Sequence, residues 1–76
     1  MKFEHYDEYM RLGLSITYFR KYQCMTQQQL ADKMDVNYET ISRIENARNG
    51  ISLDMLFELS KALGVSLAEI FAHAKL

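Results

Sequence analysis

Residues 26–46 read TQQQLADKMDVNYETISRIEN and contain two helix-start signals eleven residues apart, at Thr26 and Asn37. A side-chain oxygen at either position can accept a hydrogen bond from a free backbone N–H in the first turn of a helix. The first of these helices ends at Asp35, so about three residues connect it to the second. Such a short connection makes two helices cross steeply, and it predicts a helix-turn-helix unit over about residues 26–46. We expect left-handed torsions at Asp35, because Asp tolerates them better than most residues.

The second helix of this unit, residues 38–46, separates an apolar side from a polar side. At about 100° per residue, Ile41 and Ile44 face one way, and an arc of roughly 140° on the opposite side holds no aliphatic residue. That arc contains Tyr38, Glu39, Ser42, Arg43 and Asn46. Their polar groups form an array of hydrogen-bond donors and acceptors that can read base edges in a major groove. Polar outer faces are ordinary on solvated helices, and the position after a tight turn is what favours recognition here.

The length and composition predict a single helix-turn-helix domain over residues 1–76. A chain that is 49% hydrophobic and 25% charged is typical of a globular protein. The single cysteine, Cys24, excludes an internal disulfide, and no apolar run approaches the roughly 18 to 20 residues that cross a bilayer. The first residues, MKFEHYDEYM, do not resemble a signal peptide. We therefore expect a cytoplasmic protein with no membrane role.

The net charge of −1 is low for a nucleic-acid binder, since phosphate contacts normally dominate affinity. Its distribution is uneven: residues 10–51 carry six basic and four acidic side chains, which gives +2, whereas residues 1–9 carry −2. The excess of positive charge thus lies in the part of the chain that contains the predicted helix-turn-helix unit, but this excess is slight. A single copy is expected to bind DNA weakly, and we expect two copies on one site to compensate for the low affinity of each.

Four helix starts share a pattern in which an apolar residue precedes the cap and another follows five positions later. The caps are Thr26, Asn37, Ser52 and Ser66, and Glu69 completes a capping box with Ser66. A longer helix over about residues 6–23 comes first, with Leu12, Ile16 and Phe19 facing inward. These features predict an all-α fold of five helices, with the C-terminal pair at about 52–63 and 66–74.

The fourth of these helices has an apolar arc of about 220°, which is wider than one core requires. Part of that arc is therefore expected to meet another partner, and self-association is the simplest interpretation. The candidate dimer contacts are Met55, Leu59, Phe71 and Leu76. In the alternative interpretation, the first and fifth helices cover both sides of the arc within the monomer.

Catalysis has little support in the sequence. His5, His73 and Cys24 are isolated, and the chain has no CxxC spacing, no glycine-rich phosphate loop and no Ser-His-Asp arrangement. The acidic start around His5 is better explained as a solvated segment than as a metal site. We expect no catalytic residue, metal, cofactor or small-molecule effector.

Several segments together resemble the phage-repressor type of helix-turn-helix family, the XRE-like or lambda-repressor-like regulators, over about residues 12–71. They are Ile16 and Phe19-Arg20, then Met25-Thr26-Gln27 with Leu30-Ala31, the run Ile41-Ser42-Arg43-Ile44-Glu45-Asn46, and the stretch from Ser52-Leu53 to Ile70-Phe71. The resemblance implies a compact five-helix lambda-repressor-like DNA-binding domain. It further implies a sequence-specific transcriptional regulator that binds double-stranded DNA as a homodimer on a roughly palindromic operator. The stretch around residues 46–52 is also similar to the small controller proteins of restriction-modification systems.

The resemblance assigns roles to individual residues. It implies base contacts by Tyr38, Glu39 and Arg43. The positions expected to contact the DNA backbone are Gln27, Asn37, Ser42, Asn46 and Arg48. Arg20 and Glu45 match a partly buried structural ion pair between the first and third helices. Family members commonly have glycine where Cys24, Asp35 and Ala47 stand, and proline near Ile51, so these departures imply altered turn torsions.

Two alternatives remain open at this point. Glu39 and Arg43 are four residues apart and can form a local ion pair with no part in readout. The whole chain can also be a helical protein-interaction module, antitoxin-like or a partner of another regulator, that binds through its fourth helix. Near-neutral charge favours this second alternative modestly.

Overall fold

The computed structural model describes residues 4–76, which form five helices and no strand. The helices are α1 (Tyr6–Tyr22), α2 (Gln27–Met34), α3 (Tyr38–Glu45), α4 (Leu53–Leu63) and α5 (Leu67–Ala74). This confirms the all-α prediction, and every predicted helix is present in the predicted order. None of the five is long and apolar enough to span a bilayer.

Side-chain caps start the four shorter helices, as predicted. The oxygens of Thr26, Asn37, Ser52 and Ser66 each accept from the backbone N–H three residues further on, at 3.0–3.3 Å. The capping box of Ser66 with Glu69 is confirmed. A second box, which was not predicted, forms at Thr26, whose backbone N–H donates to Gln29 Oε1 at 2.8 Å. Each cap contributes about 1 kcal/mol, which matters for helices of only two or three turns.

All five helices contribute to one apolar core. α1 contacts α3, α4 and α5, and α2 contacts α3 and α4. The core is formed by Leu12, Ile16, Leu30, Ala31, Ile41, Leu56, Leu59, Ala62, Leu63 and Ile70. Leu59 has no solvent exposure, so its assignment as a dimer contact was wrong. The reason is that neighbouring helices cover its side of α4 within the monomer.

One glycine sets how closely α1 approaches α3. A Cβ atom built on Gly13 would lie 2.6 Å from the carbonyl oxygen of Glu45 and 2.7 Å from that of Ile44. Both atoms belong to the backbone of α3 and cannot rotate away. Gly13 therefore lets the two main chains meet directly, and this requirement was not predicted.

The three turns in which family members commonly have glycine keep left-handed torsions. φ is 59° at Cys24, 57° at Asp35 and 55° at Ala47. The left-handed turn predicted at Asp35 is confirmed, whereas the altered torsions implied by the missing glycines are wrong. The chain follows the path that glycine would take, and the non-glycine residues add strain of about 1–2 kcal/mol at each position.

Candidate nucleic-acid interface

The inner side of α3 is fixed to the core, and this decides which side chains face solvent. Ile41 is fully buried and Ile44 is half-buried, as the helical wheel predicted. On the opposite side, Tyr38 is 46% exposed, and Glu39 and Arg43 are also exposed. The helix-turn-helix thus presents these three side chains outward, which is the placement that base contact requires.

Glu39 and Arg43 are only loosely associated. Arg43 Nη2 lies 4.0 Å from Glu39 Oε2, at the outer limit of an ion pair, and both side chains are mostly in solvent. A pair of this kind contributes about 0.3–0.5 kcal/mol, which is too little to hold the guanidinium in place. Arg48 joins these two residues and Ser42 around a shallow pocket. Two guanidinium groups beside one carboxylate give this part of the surface a net positive charge.

Asn37, the N-cap of α3, and Ser42, within α3, each keep a donor free for an outside acceptor. Asn37 Oδ1 accepts from the backbone N–H and the hydroxyl of Thr40, at 3.3 and 2.8 Å, which leaves the amide N–H groups of Asn37 unused. Ser42 Oγ accepts from Asn46 Nδ2 at 3.3 Å, so its own hydrogen is available. Phosphate oxygens accept only, and these are the groups they need.

Asn46 is differently placed. Its Nδ2 donates to the Ser42 carbonyl at 2.9 Å as well as to the Ser42 hydroxyl, so both amide hydrogens are directed back onto α3. The side-chain oxygen that remains is an acceptor and offers nothing to a phosphate. In this arrangement Asn46 supports Ser42 and does not itself present a donor.

A buried ion pair connects the helix-turn-helix unit, α2 and α3, to α1. Arg20 Nε donates to Glu45 Oε2 at 2.7 Å and Arg20 Nη2 to Glu45 Oε1 at 3.1 Å, so the predicted pair is present and bidentate. Arg20 Nη1 also donates to the Met25 carbonyl at 2.7 Å. Gln27 Nε2 donates to Glu45 Oε1 at 2.9 Å. The network therefore joins α1, α2 and α3, and Gln27 keeps one amide hydrogen for a second acceptor.

The four candidate dimer residues do not share one surface. Leu59 is in the core. Met55 lines a cleft between α3 and α4 that also includes Thr40 and Arg43. Phe71 and Leu76 line a separate apolar cleft between α1, α4 and α5.

Leu53 also lines that second cleft and is 64% exposed, and Phe57, one turn further along α4, is 48% exposed. Neither was among the candidates, although both belong to the predicted apolar arc of α4. We call Leu53, Phe57, Phe71 and Leu76 the α4–α5 patch. On the α4 wheel Leu53 and Met55 are about 160° apart, so this patch excludes Met55.

A helix-turn-helix family model (HTH_3) matches residues 16–70, which include all of α2, α3 and α4. The chain belongs to the XRE-type helix-turn-helix family. This confirms the family resemblance drawn from the sequence, and the family is one of DNA-binding transcription regulators rather than of enzymes.

Two relatives of this XRE-type chain are named as regulators. The competence pilus inhibition repressor of Acinetobacter baylyi is 39% identical over 66 residues, which are 87% of this chain and 60% of the relative. The chain thus spans somewhat less than two thirds of that protein. The HTH-type transcriptional regulator MJ0272 of Methanocaldococcus jannaschii is 34% identical over 58 residues, or 76% of this chain and 88% of the relative.

Solved structures of regulators have the same fold. The clp gene regulator ClgR of Corynebacterium glutamicum superposes with a TM-score of 0.86 at 28% identity, over 90% of this chain and 87% of that one. The restriction-modification controller protein C.Esp1396I gives a TM-score of 0.81 at 26% identity, over 90% of this chain and 88% of that one. The controller protein C.AhdI of Aeromonas hydrophila, at 21% identity and a TM-score of 0.83 over 87% and 100% of the two chains, shares the fold.

Proposed function

We propose that this XRE-type protein is a sequence-specific transcriptional regulator that reads a roughly palindromic operator as a homodimer, with α3 in the major groove. The observation that carries the proposal is the outward projection of Tyr38, Glu39 and Arg43 from the second helix of a helix-turn-helix unit in a family of regulators. In this proposal residues 1–76 act as one domain in the cytoplasm, without a cofactor, a small-molecule effector or a membrane.

Each of the three outward side chains has a base partner that suits its chemistry. The Arg43 guanidinium can donate bidentately to guanine O6 and N7, a contact that discriminates by about 1–3 kcal/mol. The Glu39 carboxylate repels phosphate and therefore fits only a donor on a base edge, such as cytosine N4 or adenine N6. Tyr38 can pack on a thymine methyl group or donate to a phosphate.

The backbone contacts follow from the free donors. Gln27, Asn37, Ser42 and Arg48 each keep at least one hydrogen for a phosphate oxygen. We place Asn46 in a supporting position behind Ser42. These contacts fix the register of α3 and carry no sequence information themselves.

The low charge of the chain is the reason to propose two copies on one operator. A monomer with a net charge of −1 gains little from the phosphate field. Pairing through the α4–α5 patch would cover the exposed Leu53 and Phe57 and would double the number of phosphate contacts. The symmetry of such a pair matches an operator with two half-sites.

The test is selection of bound duplexes from a random library, followed by affinity measurement with an Arg43→Ala variant. We expect one enriched site, an affinity that falls steeply with salt, and a loss of about tenfold or more for Arg43→Ala on that site. Arg11→Ala is the matched control, because Arg11 pairs with Asp7 on α1, away from α3. Failure to enrich any site would overturn the proposal.

The exposed α4–α5 patch also favours a second function, a protein-interaction module that binds another protein through α4. Arg43→Ala, together with a further variant at Phe57, separates the two functions. An interaction module would keep its partner after Arg43→Ala and lose it after Phe57→Glu.

A further inference from the structure

The outer side of α1 carries a stripe of large apolar side chains that the monomer leaves largely exposed. Met10, Leu14, Tyr18 and Tyr22 recur every four residues and are between 40% and 75% exposed. They lie on the side of α1 opposite its buried residues, where an ordinary surface helix has polar side chains. A contiguous apolar surface of this kind marks an interaction site. We call these four residues the α1 stripe.

A shallow groove beside the stripe adds shape to this surface. The ring of His73 from α5 stacks on Tyr18 with centroids 4.0 Å apart, and Tyr18 in turn stacks on Tyr22 at 6.1 Å. Next to them is a groove between α1 and α5, lined by Arg11, Leu14, Ser15, His73, Ala74 and Lys75. The exposed Leu14 thus forms a ridge directly beside a groove that can receive a side chain of the same size.

The charges along the stripe are arranged symmetrically about Leu14. Asp7 and Lys21 lie seven residues before and after it, and both are exposed. The Asp7 carboxylate pairs with Arg11 of its own helix at 2.9 Å and, at 71% exposure, remains open to a second cation. On the helical wheel Asp7, Leu14 and Lys21 fall within about 40° of one another, so all three lie on one line along the helix. Met10 and Tyr18 flank Leu14 at equal distances. A second α1 laid antiparallel would place each group opposite one that complements it.

We propose that the α1 stripe binds the α1 stripe of a second copy of this chain, with the helices antiparallel and a two-fold axis at Leu14. Leu14 of each copy then enters the groove beside the other α1. Met10 faces Tyr18 of the second copy, a favourable sulfur–aromatic contact, and Asp7 faces Lys21 of the second copy. A crossing angle near 20° keeps these outer pairs within reach. The contact is isologous, because the same surface is used on both sides.

The size of the stripe sets the strength of the contact. With about 200 Å² for each large side chain, the exposed fractions leave about 450 Å² of apolar surface on each copy. Stable pairs bury about 800 Å² per partner, so this contact is weak and forms only at high local concentration. It shares no residue with the α4–α5 patch or with the outer face of α3. The inference therefore does not depend on the proposed DNA-binding function.

The experiment measures mass by sedimentation equilibrium as the protein concentration rises from about 10 μM to about 1 mM, the range where weak contacts form. We expect an additional rise in the wild-type mass near the upper end, as a step beyond any pairing through the α4–α5 patch. Leu14→Glu places like charges on the two-fold axis and should abolish that step. Leu53→Glu, an exposed leucine of the α4–α5 patch, should leave it intact. A wild-type mass constant over this range, or loss of the step only in Leu53→Glu, would overturn the proposal.

A charge swap tests the antiparallel direction. Asp7→Lys and Lys21→Asp each create two like-charge contacts across the axis and should weaken the association by about tenfold. The double variant Asp7→Lys with Lys21→Asp restores opposite charges and should recover the wild-type association. A double variant as weak as the single ones would refute the antiparallel pairing. Unfolding curves of the four proteins, which change only exposed residues, verify that all are folded.

Discussion

Replacing Glu45 with Gln removes one charge from the buried network while keeping the size and shape of the side chain. Arg20 and Glu45 are both less than 10% exposed. Glu45→Gln replaces the carboxylate beside the buried Arg20 guanidinium with a neutral amide that offers one acceptor oxygen, while the Met25 carbonyl continues to accept from Nη1. Removal of one partner from a buried ion pair costs about 3–5 kcal/mol, because the remaining charge keeps its desolvation penalty.

That cost is large beside the stability of the whole chain. A domain of 76 residues is expected to unfold with about 4–11 kcal/mol. The variant should therefore lose about a quarter or more of its stability, and its Tm should fall by about 15–30 °C. The measurement is urea unfolding followed by circular dichroism, which gives the midpoint and the m-value from the same curve.

The exposed pair of Asp7 and Arg11 is the matched control. Its Nη2–Oδ2 distance of 2.9 Å is close to the 2.7 Å of the shorter Arg20–Glu45 contact, so the two pairs differ chiefly in burial. Asp7→Asn should cost less than about 1 kcal/mol. The double variant Arg20→Met with Glu45→Leu, which leaves no unpaired charge, should be more stable than Glu45→Gln. If Glu45→Gln costs no more than Asp7→Asn, the reasoning from burial is refuted.

Further outcomes follow from substitutions at four single positions. Gly13→Ala should destabilise the protein by about 2 kcal/mol or more in urea unfolding, because the close approach to α3 outweighs a helix-propensity gain of about 1 kcal/mol, and a stabilised variant would contradict this. Cys24→Gly should stabilise by about 0.5–1 kcal/mol, since relief of left-handed strain exceeds the added entropy of the unfolded chain. Ala47→Gly should be nearly neutral, because the relief of left-handed strain is offset by the loss of a buried methyl group that contributes about 0.8 kcal/mol. Equal changes in stability for Cys24→Gly and Ala47→Gly would contradict this offset. Arg48→Ala should weaken binding to specific and nonspecific duplexes alike and lower the slope of log K against log salt by about one, whereas a site-specific loss would place Arg48 on a base.

The local parts of the fold could be predicted from the sequence because their causes are local. A capping oxygen reaches an N–H three residues away, so Thr26, Asn37, Ser52 and Ser66 are informative on their own. The outer face of α3 could be predicted equally well, since helical periodicity alone separates Ile41 and Ile44 from the polar arc.

The remaining features depend on residues distant in sequence. In the sequence alone, Gly13 is simply a residue of low helix propensity. Its role becomes evident only when the α3 carbonyl oxygens are seen to lie too close to admit a Cβ atom. Leu59 belongs to the apolar arc of α4, and the sequence shows how wide that arc is. Which part of the arc each neighbouring helix covers depends on how the helices pack. Ser15, whose hydroxyl donates to the Ile70 carbonyl at 2.8 Å, joins residues 55 positions apart and has no local signal.

The left-handed turns at Cys24 and Ala47 were misjudged for a related reason. The backbone N–H of Met25 donates to the Arg20 carbonyl at 3.1 Å, and that of Arg48 donates to the Arg43 carbonyl at 3.0 Å. These bonds close helix ends of the Schellman type, which require a positive φ at the residue between, whatever its side chain. The hydrogen bonds that close the helix thus determine the torsion, and the residue at Cys24 or Ala47 determines only its cost.

The direct contact of main chains at Gly13 bears on how such a protein can diversify. Backbone contact with α1 at Gly13 fixes the orientation of α3. Substitutions at Tyr38, Glu39 or Arg43 therefore leave that orientation unchanged. Under the proposed function, descendants of this chain could acquire new operators by replacing those three side chains one at a time. The fold would be inherited unchanged, because it should tolerate substitutions on the outer face of α3 and be most sensitive to substitution of Gly13.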